Sequence, residues 1–182
     1  MKKLFSLFIA LTFVCSISAF AQTVSIGSES GTSPVNVPIS FDLGSEDMRA
    51  FDLTIDVVNS AIVSGVSFQP GPDATFDNTP TVTYAGGQVA VSWQDVTDLK
   101  TGSGVFFYLA FTGSVGSSDL DFISENVVGQ NELVDGTGQP MTATFEDGDV
   151  TFIAPVPLKN WAIFIGLGLI IAFLVVRFRR IV

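Results

Sequence analysis

Between residues 22 and 154 apolar side chains recur at every second position in short runs, the period of a β-strand with one buried face. Val35, Val37, Ile39 and Phe41 point one way, and Asn36, Pro38 and Ser40 the other. Pro38 removes a ladder donor, which predicts a strand edge or a bulge there. Phe51, Leu53, Ile55 and Val57 alternate with Asp52, Thr54 and Asp56, and Val89, Val91 and Trp93 with Ala90, Ser92 and Gln94. Gly86-Gly87 predicts a hairpin between 81–84 and the strand that follows. Residues 105–111 are apolar on both faces, with Phe107, Leu109 and Phe111 inward and Phe106 and Tyr108 outward by strict alternation. Ala143-Thr-Phe145 and Val150-Thr-Phe152 flank Asp147-Gly148, a dipeptide favoured in two-residue hairpin turns. The pattern predicts an all-β, two-sheet sandwich of about nine strands. Residues 69–78 and 114–138 read as loops, being rich in Gly, Asp and Ser.

Both ends carry longer apolar runs. At residues 1–21, Lys2 and Lys3 precede an apolar stretch, and Ala19 and Ala21 supply small residues at the cleavage positions of a secretory signal peptide. Residues 161–176 hold no charge. As a helix this segment spans about 24 Å, close to a bilayer core of roughly 30 Å. Trp161 at one interface and Arg177 at the other extend it, so one C-terminal transmembrane helix is expected. The basic tail at 177–182 keeps to the cytoplasm and places the body outside. Pro155-Val-Pro157 in the linker at 155–160, the apolar run and Arg177, Arg179 and Arg180 resemble a PEP-CTERM sorting tail. That resemblance implies an exosortase-like membrane protease as a processing partner, although Val156 stands where the class carries glutamate. The tail is then either a variant sorting signal, cleaved to release a surface protein, or a permanent membrane anchor.

Charge narrows the field further. The chain has 18 acids and 8 Lys and Arg residues, and all 18 acids lie between Glu29 and Asp149, where Arg49 and Lys100 are the only bases. The body therefore carries 2 − 18 = −16 charges, a surface that repels phosphate backbones and excludes nucleic acid as a partner. The chain has no histidine, and its one cysteine, Cys15, falls in the expected signal peptide. Without them the mature chain lacks a Ser-His-Asp triad, a Cys-His pair and a thiolate zinc site, and no enzyme is expected.

Carboxylates are the remaining chemistry. Asp52 and Asp56 share a strand face but lie about 13 Å apart, too far for the roughly 5–9.5 Å of a glycosidase pair. If Asp147-Gly148 forms a hairpin turn, Glu146 and Asp149 stand opposite each other, a repulsion that a bound calcium would reverse. Asp95 with Asp98, and Asp119 with Asp121, are lesser candidates of the same kind. No cofactor is certain, and calcium is the one candidate. Outward aromatics offer a second chemistry: Phe106 and Tyr108, with Tyr84 as a third, are candidates for stacking on sugar rings, unless a loop covers them.

The same residues resemble a cohesin domain, the jelly-roll module that binds dockerin modules in cellulosomes. The match is carried by Val24-Ser-Ile-Gly with 35–41, by 51–57 with Ile62-Val-Ser-Gly-Val, by the glycine-led strand 104–111, and by Asn131-Glu-Leu-Val-Asp-Gly with the closing 141–152. It covers nearly all of 22–154. The resemblance implies a flat sheet face that takes a dockerin-like partner, with Asp52, Thr54, Asp56, Ser92 and Asp95 on it. The family's Asn-x-Asp falls on Ala50-Phe51-Asp52, so the aspartate is kept and the asparagine lost. Three functions stay open: a surface-displayed protein-interaction module tied to polysaccharide breakdown or attachment, a module that binds polysaccharide directly, and a structural protein of a biofilm or matrix.

Overall fold

The computed structural model describes residues 22–123 and 131–155, together with positions 165, 167–171, 173 and 177. The signal-peptide residues, Pro157, Trp161, Arg179 and Arg180 lie outside the described residues. The described positions from 165 to 177 are helical. Among the described residues no helix is long and apolar enough to cross a membrane.

The body is nearly all strand. Its centre is β3 (Val35–Val57), a single 23-residue strand where alternation predicted two. A register shift between Asp42 and Asp47 bends it, with Gly44 at a positive φ of 59°. The two halves then enter different layers. Residues 35–42 pair with β1 (Gln22–Ile26) on one edge and β7 (Lys100–Gly113) on the other. Beyond them lie β11 (Ala143–Glu146) and β4 (Val63–Pro70). Residues 48–57 pair with β6 (Gln88–Gln94), which carries β5 (Thr81–Ala85). Their other edge takes β9 (Glu132–Asp135) and then β8 (Gly116–Phe122). β12 (Gly148–Phe152) and β2 (Ser28–Gly31) continue past β8, and β10 (Pro140–Met141) caps β9. The architecture is that of a β-sandwich, with twelve strands among the described residues rather than about nine.

The inward residues of both layers meet in one core. Phe51 stacks on Phe107 at 5.6 Å, and Phe41 on Phe106 at 4.8 Å, with Trp93, Phe68 and Phe76 around them. The Gly86-Gly87 hairpin forms as expected, with φ of 62° and 85° at its two central residues.

Two local expectations fail for physical reasons. The first is the alternation in β7. Ile39 pairs with Phe107 and Ser40 with Val105, so Phe106 is an extra residue in a β-bulge. The bulge turns consecutive phenylalanines into the core, and Phe106 is 1% exposed. It lies two residues beyond Pro38, where a bulge or an edge was expected.

The second is the hairpin at Asp147-Gly148. β11 pairs in parallel with β1, and β12 in parallel with β2. The two stretches run side by side and cross together from one layer to the other, at Gly27 and at 147–148. A β-carbon on Gly148 would lie 2.5 Å from the carbonyl oxygens of Ile26 and Gly27. Those atoms are backbone and cannot swing aside. Gly148→Ala is therefore expected to destabilise the fold by about 1–3 kcal/mol, read from the urea midpoint, where an ordinary exposed hairpin turn would tolerate it.

Segment 114–138, read as a loop, holds β8 and β9. The missed signal was Ser118, Leu120 and Phe122, an inward period of two hidden among aspartates.

Candidate functional site

The outer face of the layer β5-β6-β3-β8-β12 carries the site. Asp52 is exposed there, with Thr54 and Asp56 half-buried. Across β6, Ser92 sits directly opposite Asp52; across β9, Glu132 does. Asp52, Ser92 and Glu132, with Thr81, Gln94 and Asn78, line a shallow, open depression of ≈ 420 Å³.

The register places carboxylates in cross-strand pairs along this face. Asp52 is opposite Glu132, Asp56 opposite Asp121, and Asp119 opposite Asp149. Like charges directly opposite one another destabilise a sheet. Among the described residues the one ion pair is Lys100 with Asp98, so none of these six carboxylates is neutralised. Burial, followed by the charges of Asp147, Asp119 and Asp56, pushes the Asp121 carboxyl above its ordinary range. Asp121→Asn is accordingly expected to stabilise the protein at pH 7 by on the order of 0.5 kcal/mol, less at high salt. The sign with pH follows from the raised value. As pH falls through it, the wild-type group takes up its proton and the repulsion goes, so the advantage of Asn shrinks in acid. Thermal melts of both proteins at pH 4 and pH 7 check this.

Asp95 does not belong to the face. Its Oδ1 accepts from the Thr97 amide and hydroxyl at 2.8 Å each and from the Asp98 amide at 3.2 Å, and its Oδ2 from Asn78 Nδ2 at 2.6 Å. The Thr97 hydrogen bonds, above all, hold its carboxyl below the ordinary range. The side chain is consumed in shaping the 95–99 loop. The aromatic platform is also absent. Phe106 is buried, and Tyr84 packs against the core with its hydroxyl donating to the Ser60 and Val63 carbonyls at 3.4 Å. Tyr108 is half-buried, on the opposite layer of the sandwich.

Nor do Glu146 and Asp149 face each other. Glu146 pairs with Ser25 in one layer, and Asp149 with Asp119 and Ser28 in the other. Among the described residues no group of three or more metal-ligating side chains is placed to hold an ion.

Two residues matter here that the sequence reading did not single out. Glu132 doubles the charge beside Asp52. Asn131, at a positive φ of 57°, bridges the gap where β8 ends and β9 begins. Its Oδ1 accepts from the Thr54 amide at 2.7 Å and its Nδ2 donates to the Ile123 carbonyl at 2.6 Å. An isolated Asn in a polar stretch reads as a turn former, and its actual partners are remote in sequence.

No protein-family model and no curated protein matches the chain. Solved structures do. The chain is similar to the sixth cohesin of scaffoldin B from Acetivibrio cellulolyticus, solved in complex with a mutant dockerin, with 19% identity and a TM-score of 0.61 over 73% of this chain and 99% of that one. The cohesin of a type I cohesin–dockerin complex from Clostridium thermocellum gives 18% and 0.60, over 73% and 99% of the respective chains. A non-cellulosomal cohesin from the archaeon Archaeoglobus fulgidus gives 18% and 0.57, over 74% and 92%. The body of this protein therefore has the cohesin fold.

Proposed function

We propose that this protein is a non-catalytic, surface-displayed interaction module that binds a dockerin-like protein partner through the face bearing Asp52, Thr54, Asp56 and Ser92. The observation that carries the reading is the set of three uncompensated acidic pairs on one flat sheet face of a cohesin fold. Such pairs weaken the sheet that holds them, and a cationic partner surface reverses their sign. The partner's contact surface is accordingly rich in Lys and Arg. The segments at 1–21 and 155–182 support export and anchoring at the cell surface, by permanent insertion or through an exosortase-like protease. The cohesin resemblance supports a role beside polysaccharide-degrading or polysaccharide-attached proteins, reached through the partner rather than by direct sugar contact.

Calorimetry of the purified protein against dockerin modules tests this. Asp52→Lys is expected to weaken binding about tenfold or more, and rising salt to slow association. Binding that is indifferent to Asp52→Lys and to Glu132→Lys would place the contact elsewhere and remove the reading.

A further inference from the structure

The two ends of the sandwich differ in charge. Five segments meet at the end where the chain leaves β12: residues 31–34, 58–62, 86–87, 113–116 and 153–155. They are tied together by Ile153 N–H to Gly31 O (2.8 Å), Ser114 N–H to Ile62 O (2.8 Å), Val57 N–H to Gly87 O (2.8 Å) and Gly113 N–H to Ser33 Oγ (3.1 Å). None of these five segments contains a charged residue. The connections at the opposite end, 42–47, 71–80, 95–99 and 135–139, hold eight acids. In a body of net charge −16 the connections at the two ends are thus segregated by charge, and the acids near the neutral end, among them Glu29, Asp119 and Asp149, are strand residues set two to four positions back from its loops.

The neutral end is also tipped with apolar side chains. Val58, Val115 and Ile153 are 56%, 64% and 50% exposed. Val115 and Ile153 are neighbours, one step beyond the Gly116–Phe152 pair of the β8–β12 ladder. Val96 and Leu99, also exposed, stand at the far end among Asp95 and Asp98.

We propose that this neutral end seats on the lipid headgroup surface, so that the sandwich stands upright on the membrane with its acidic end outermost. The inference rests on reading 161–176 as the membrane anchor. Five residues stand between Pro155 and Trp161, six Cα steps with a reach of at most about 21 Å even when fully extended. The body is thereby confined next to the headgroups, and the remaining question is which surface it turns toward them. An anionic leaflet repels carboxylates within a Debye length of roughly 8–10 Å. Presenting the far end would bring its eight loop acids into that layer; presenting the exit end brings none from its loops, with Glu29, Asp119 and Asp149 standing farther back on the strands. Exposed Val and Ile at the exit end gain contact with the interface, as amphipathic surfaces do. The orientation also leaves the Asp52 face perpendicular to the membrane and open to a partner arriving from the side.

The mature full chain is reconstituted in vesicles of phosphatidylcholine and phosphatidylglycerol carrying a headgroup nitroxide lipid. A fluorophore is attached at Val115→Cys, at Ile153→Cys or at Thr137→Cys in the far-end turn. Nitroxide is expected to quench the first two at least about twofold more than the third. A further change, Ser60→Glu with Ser114→Glu, should reduce quenching at Ile153→Cys in anionic vesicles and much less in pure phosphatidylcholine. Flotation of the same vesicles reports anchoring separately. If the chain floats but all three positions are quenched alike, the seating is overturned and the anchor stands. If the chain does not float, both fall. Quenching at Val115→Cys that disappears on diluting protein into more lipid would assign the end to contacts between copies instead.

Discussion

Phe107→Ala is expected to destabilise the sandwich by about 3–5 kcal/mol, a large part of the roughly 5–15 kcal/mol that a domain possesses. Phe107 is fully buried, and its ring lies 5.6 Å from Phe51, 5.7 Å from Phe68 and 6.1 Å from Phe41. Removing it opens a cavity where both layers and the 71–80 loop converge, and rings fixed on the two halves of β3 and on β4 cannot all collapse into it. Tyr108→Ala, one residue along and half-buried, is the control and should have a much smaller effect. Urea denaturation followed by the fluorescence of Trp93, itself 5.8 Å from Phe51, measures both. Equal effects at 107 and 108 would mean that the strand faces are assigned wrongly.

Lys100→Ala is the second large effect, at about 3 kcal/mol. Lys100 is 5% exposed, though it is one of only two bases in an acidic body. Its ammonium donates to the Thr75 carbonyl and pairs with Asp98, and it lies 5.0 Å from the Phe76 ring centre and 5.3 Å from that of Trp93. Burial works against the charge of Asp98, but hydrogen bonds from Lys100 and the Asp77 amide hold its carboxyl below the ordinary range. One cation thus joins the 71–80 loop to the 95–99 loop over the end of the core. Truncation leaves Asp98 and the Thr75 carbonyl short of a donor. Lys100→Met keeps the apolar stem against the rings and should recover part of the loss, while Lys100→Arg tests whether charge alone suffices. If Ala and Met are equally benign, the loops are held by other contacts and the lysine is incidental.

Both predictions concern the packing beneath the Asp52 face. The face stands on Phe51, Leu53 and Ile55 from β3 and on Val89, Val91 and Trp93 from β6, all buried. Outward Asp52 and Glu132, and Asp56 and Asp121, can repel each other without buckling the sheet because the inward half of each strand is locked. The protein thus stores charge on the same strands whose other side is buried in the core.

Much of this was legible in the linear pattern. A period of two assigns Phe51 inward and Asp52 outward whatever the partner strand is, because the side-chain alternation of a strand is local. The Gly86-Gly87 hairpin was legible for the same reason, as both positive φ angles belong to the turn itself. Neutral Val115 and Ile153 and acidic 95–98 were equally visible as residues, but not as opposite ends of one body. What tertiary structure alone decided are the events that join distant segments. The bulge that turns Phe106 inward is set by β3 across the ladder, not by β7. The crossing at Gly148 is set by β1 and β2, over a hundred residues earlier, and it overrides a dipeptide that favours a hairpin. The pairing of Asp56 with Asp121 and of Asp119 with Asp149 depends on register between strands separated by tens of residues. Alternation is written into each strand by covalent geometry, whereas register, bulges and crossings are written only when the strands meet.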